Sequence, residues 1–137
     1  MKILSESALS RALSLRDLTD PSQGPHAVQQ VLAAAQAALE RAWAPEVREE
    51  RRSPIVSVTD NYDALHYPPG GASRDARYTR HVSAGTVLRT QTSAMIPPAL
   101  RELAARGQAK DVLLVCPGLV YRRDILDRLH VGEPHQV

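Results

Sequence analysis

Residues 25–43, PHAVQQVLAAAQAALERAW, are the longest stretch with a helical period, and the chain beyond them comes in short pieces cut by proline and glycine. Pro25 suits a first helical position, and Val28, Val31, Leu32, Ala35, Leu39 and Trp43 can line one side. Ahead of it, residues 3–18 place apolar side chains at 4, 8, 9, 12, 13 and 15, which predicts a short amphipathic helix stopped by TDPSQGP. Behind it, PEVREERRS reads as a charged, solvated connector, and PIVSVT (54–59) alternates with the period of a half-buried strand. DNYDALHYPPGGASRD is turn-rich from Tyr67 and predicts an irregular loop, and TVLRT (86–90) predicts a further strand. PPALRELAARG predicts a helix closed by Gly107. DVLLVCPG and LVYRRD are two strand-like pieces about a Pro-Gly step. This order predicts an α+β fold, with a largely antiparallel sheet flanked by helices.

The core of such a chain must be aliphatic, because it has no phenylalanine, one tryptophan and four tyrosines. Seventeen basic residues against fifteen acidic ones leave +2, too even a balance to imply polyanion binding by charge alone. Two of the seventeen are lysines, Lys2 and Lys110, so the other fifteen are arginines, whose rigid fork suits phosphate and carboxylate. Cys116 stands alone in an apolar run, which rules out an internal disulfide and predicts a buried small hydrophobe. With no membrane-length apolar run and no signal-peptide layout, a cytoplasmic protein is expected, with neither membrane nor DNA as partner. No metal site is expected: His130 and His135 do not have the spacing of a zinc pair, and His26, His66 and His81 lack partners at ligand spacing. Arg74, Arg77 and Arg80 recur every third residue and read as a solvated turn or an RNA-facing stripe.

The C-terminal run PGLVYRRDILDRLHVGEPHQV places charge at the lip of a strand. Alternation puts Tyr121 and Arg123 on one face and Arg122 and Asp124 on the other. A loop then leads to PHQV, with His130, Glu133, His135 and Gln136 over the same end of the sheet. Spacing alone leaves two readings, a surface hairpin with screened ion pairs or a phosphate or nucleotide site.

The same run resembles the second signature motif of class II aminoacyl-tRNA synthetases, and in detail that of the phenylalanine-specific catalytic (alpha) subunits. DNYDALHYP with the later SRDARY, and VLRTQTSAMIPPAL, resemble two further segments of those subunits in the right order. The likeness runs from about residue 54 to the end and more faintly back through GPHAVQQVL. On this reading residues 1–24 are an N-terminal helix and linker, and 25–137 are part of a class II synthetase-like catalytic domain.

The resemblance implies an ATP-dependent ligase that uses magnesium, forms an aminoacyl-adenylate from a phenylalanine-like amino acid, charges tRNA, and works as a homo- or hetero-oligomer. It implies that Arg122 grips the α-phosphate, that Asp124 fixes the adenine side and that His130 lies near the ATP phosphates. Ser93 and Gln136 would hold the amino group of the amino acid, with Gln91 beside them, and Pro54 would lie at a dimer interface. Three departures stand out. Gln91 replaces the signature histidine, Pro134 replaces an aromatic, and the third motif, which would supply a second ATP-binding arginine, does not occur within these residues. Further strands are therefore expected past Val137. The alternative is a repurposed paralogue that binds RNA, a nucleotide or a partner subunit.

Overall fold

The computed structural model describes residues 2–75, 78–107, 111–123, 127–129 and 133–136. Its first helix, α1 (Glu6–Leu13), is capped by Ser5, whose hydroxyl accepts from the Ala8 N–H at 3.2 Å. It ends sooner than the apolar spacing predicts. Asp17 folds back on its own backbone instead, accepting from the Thr19 N–H at 2.9 Å, a local bond that competes with a helix. The long helix, α2 (Ala27–Trp43), starts one residue past its cap, His26, whose Nδ1 accepts from the Val28 N–H. It buries no residue fully and leaves Val31 at 62% and Trp43 at 64% exposure.

The sheet is smaller and more mixed than expected. β2 (Ile55–Ser57) pairs antiparallel with β3 (Thr86–Leu88), Val56 opposite Val87. Ser57 then caps a turn of helix, α3 (Val58–Asn61), because its hydroxyl accepts from the Asp60 N–H at 2.9 Å. That cap ends the alternation of PIVSVT at its midpoint. The supposed connector is a strand, β1 (Glu46–Glu49), and it runs parallel to β4 (Val112–Val115), with Val47 opposite Leu113. Among the described residues the pairing is thus mixed, two antiparallel pairs and one parallel pair, in three two-stranded sheets. Residues 45–53 still carry their charge, and most of it is paired: the Glu50 carboxylate meets Arg48 at 2.5 Å and Arg52 at 2.8 Å. Glu102, on α4 (Ile96–Ala105), meets the same two arginines at 3.0 and 2.8 Å. As predicted, α4 is followed by Gly107, with φ of +63°.

β5 (Gly118–Leu119) pairs antiparallel with β6 (His135–Gln136), the hairpin expected from LVYRRD and PHQV. Leu88, Leu119, Tyr121 and Ala12 form the core, with Leu4, Leu9, Ile55 and Val82 packed on it. Cys116 is half-buried, and burial pushes its thiol above the ordinary range. His81 bridges the N-terminal segment to β3, accepting from the Leu4 N–H at 2.8 Å through its carbonyl. Burial holds its imidazole below the usual 6.5.

Arg89 comes directly after β3 and lies buried across Gly118. Its Nε donates to the Leu119 carbonyl at 2.8 Å and one Nη to the Arg52 carbonyl at 3.2 Å. A Cβ on Gly118 would fall 2.2 Å from the other Nη, at a φ of +153°. Gly118→Ala is therefore expected to lower unfolding free energy by about 1–3 kcal/mol, from displaced packing at a strained φ. Urea denaturation of the two proteins checks this.

Candidate nucleotide site

Tyr121 decides where Arg122 points. The tyrosine ring is 3% exposed in the core and its hydroxyl donates to the Ala12 carbonyl at 3.3 Å. Its neighbour in extended backbone must face the other way. There Arg122 lines a cavity of about 340 Å³, together with Tyr67, Tyr78, Thr90, Gln91 and the turn residues Ala72 and Ser73. Its Nε donates to the Thr90 carbonyl at 3.0 Å. Among the described residues no carboxylate lies within ion-pair distance of its guanidinium.

The floor is a buried polar network. Asn61 accepts from the Thr90 N–H at 3.1 Å and donates through Nδ2 to the Thr90 hydroxyl at 2.9 Å. That hydroxyl in turn donates to Gln91 Oε1 at 2.7 Å, and Gln91 Nε2 donates to the Asn61 carbonyl at 2.5 Å. A satisfied network of this kind fixes its members' rotamers. The side wall is set by Arg74, which contacts Asp63 at 2.5 Å, donates to the Tyr67 carbonyl at 3.1 Å and sits 5.2 Å from the Tyr62 ring centroid. Tyr62 and Tyr67 meet edge to face at 5.9 Å.

Of the residues singled out from sequence, Arg122 and Gln91 meet at this cavity. Gln136 stands beside them on β6, its Oε1 accepting from the Thr92 N–H at 2.8 Å. Ser93 lies in the adjoining helical turn Thr92–Met95, half-buried and outside the cavity lining. Asp124 and His130 lie outside the described residues, as does Arg77 of the arginine stripe. Arg74 and Arg80 of that stripe are engaged by the protein, not solvated. Sequence reasoning gave no role to Asn61, although it stands in the quoted DNYDAL, nor to Thr90 and Tyr78. Among the described residues no group of three or more His, Cys, Asp or Glu side chains converges.

A family profile described as the tRNA synthetases class II core domain (F) matches residues 19–137. The chain belongs to this class II core family. Among curated relatives, the phenylalanine–tRNA ligase alpha subunit of Symbiobacterium thermophilum is 40% identical over 92 residues, 67% of this chain and 26% of that protein. The alpha subunits of Staphylococcus carnosus and Oceanobacillus iheyensis are 40% and 36% identical over 77 residues, 56% of this chain and 21% and 22% of theirs. The matched part thus spans about a quarter or less of the relatives' length. The matched region begins at residue 19 and includes α2. Among the described residues no helix is long and apolar enough to cross a membrane.

Proposed function

We propose that the chain carries the ATP side of an aminoacyl-tRNA ligase of the phenylalanine type, acting in the cytoplasm, with tRNA, ATP and a phenylalanine-like amino acid as substrates and a homo- or hetero-oligomer as the working form. The observation that carries the reading is Arg122, whose guanidinium faces the cavity and, among the described residues, is engaged at Nε alone, by the Thr90 carbonyl. The amino-acid carboxylate oxygen attacks the α-phosphorus of ATP, a P–O bond forms, and the bond to pyrophosphate breaks. Charge gathers on the non-bridging oxygens as it does so, and a guanidinium already held in place stabilises that charge without reorganising. The terminal tRNA hydroxyl then attacks the adenylate carbonyl and AMP leaves. Asp124 on the adenine side, His130 at the phosphates and Ser93 with Gln136 at the amino group complete the proposed roles. Gln91 presents to the amino acid what its two internal bonds leave free, one N–H and one lone pair.

One observation favours the alternative of a nucleotide- or RNA-binding paralogue. Both ends of the Gln91 amide are already held by Thr90 and Asn61. The two readings separate by amino-acid-dependent exchange of labelled pyrophosphate into ATP in the full-length protein. Exchange that saturates with phenylalanine is expected. Saturable ATP binding without exchange leaves the binding paralogue.

A further inference from the structure

We infer that Arg80 is a positioning residue for Arg122, and that it also fastens together the two ends of the segment between Arg122 and Glu133. The inference rests on the reading of Arg122 as the phosphate-binding arginine. Arg80 is anchored first through its own backbone, since its carbonyl accepts from the Leu88 N–H at the end of β3 at 2.9 Å. From there its side chain, 18% exposed, reaches the neighbouring strand. One Nη donates to the main-chain carbonyl of Arg122 at 3.0 Å and meets the Glu133 carboxylate at 2.5 Å. Two residues earlier, the Tyr78 carbonyl accepts from the Arg123 N–H at 3.0 Å.

The backbone around Arg122 is thus gripped from both sides. On one edge, Tyr121 N–H donates to the Arg89 carbonyl at 2.9 Å and the Arg122 side chain reaches the Thr90 carbonyl. On the other edge, residues 78–80 hold the carbonyl of 122 and the N–H of 123. Without Arg80 the Arg122 carbonyl and the Glu133 carboxylate lose a shared donor, and the peptide after Arg122 is held on that edge only by the Arg123 N–H bond to the Tyr78 carbonyl. Glu133 also precedes Pro134, whose carbonyl accepts from the Val120 N–H at 3.0 Å. One guanidinium therefore spans the chain where it leaves the strand and where it returns. An isolated exposed ion pair contributes little. A charge-assisted bond to a backbone carbonyl beside the ligand-facing side chain acts on geometry, where an error of an ångström costs far more.

The test is ATP affinity by titration calorimetry, with pyrophosphate exchange in parallel, on Arg80→Met, Arg80→Lys, Arg122→Ala and the double variant Arg80→Met/Arg122→Ala of the full-length protein. Arg80→Met is expected to weaken ATP binding roughly 10- to 100-fold. It should raise KM for ATP and leave KM for the amino acid unchanged, and Arg80→Lys should recover most of the loss. In the Arg122→Ala background Arg80→Met should add less than about twofold, because the group it places is gone. If the two losses multiply in the double variant, Arg80 supports the fold at large and the inference is overturned. It is also overturned if Arg122→Ala weakens ATP binding strongly while Arg80→Met does not. If Arg122→Ala leaves ATP affinity unchanged, the site reading itself fails and takes this inference with it.

Discussion

Replacing Arg122 by alanine is expected to lower amino-acid-dependent pyrophosphate exchange by ~10²–10³-fold, the loss seen when one preorganised donor is removed from a developing charge. The substitution removes little else. The only bond it breaks among the described contacts of the side chain is that from Nε to the Thr90 carbonyl. Thr90 stays fixed through its N–H and hydroxyl by Asn61. The unfolding midpoint should therefore move little while exchange collapses. Arg122→Lys should rescue only in part, since an ammonium cannot hold both the Thr90 carbonyl and a phosphate in one planar fork. Exchange rates and melting curves on the two variants check this, and exchange surviving in Arg122→Ala would remove the arginine from the chemistry.

Replacing Glu50 by alanine is expected to cost about 3 kcal/mol of stability, the lower end for breaking a buried ion pair because Arg48 and Arg52 keep Glu102. Glu50 is 6% exposed and extends the β1–β4 ladder, its N–H donating to the Val115 carbonyl at 2.8 Å. Its carboxylate receives Nε of both arginines, and the two Glu102 oxygens receive their outer nitrogens. Removing Glu50 leaves two guanidinium groups side by side with a single carboxylate between them. Urea titration reads the loss directly, and Glu50→Gln should fall between the two proteins. The acid limb offers a second check. The Arg52 hydrogen bonds hold the Glu102 carboxyl below its ordinary 4.5. Being depressed in the folded state, it contributes stability that is present above pH 4.5 and lost as pH falls toward the folded-state value. The same pairing, with Glu102 and then Glu50, raises Arg52 above the usual arginine range.

The period of two in LVYRRD was enough to put Tyr121 and Arg122 on opposite faces, and the burial of Tyr121 in the core shows which of them is inward. The long helix was equally legible, and His26 for Pro25 at its start is a matter of one cap. β1 was not legible. Val47 is its only apolar residue, and the strand exists because Leu113 and Leu114 arrive from far along the chain to pair with it. The cavity walls were hidden for the same reason. Tyr67 and Tyr78 flank a proline- and glycine-rich stretch whose course is set by Arg74 reaching back to Asp63 and the Tyr67 carbonyl. Gln91 was legible as a polar residue at the site, whereas its attachment to Asn61 depends on α3, which local alternation concealed.

The parallel pairing of β1 with β4 also says something about how the protein comes to be folded. The chain between these strands, residues 50–111, holds β2, β3 and most of the residues lining the Arg122 cavity. Joining the strands closes that whole span into one loop, and the closure entropy is lost before any ladder bond repays it. Short-range turns such as the Ser57 cap and the β5–β6 hairpin need no such closure. A refolding chain should therefore gain its helices and turns early and the β1–β4 ladder late.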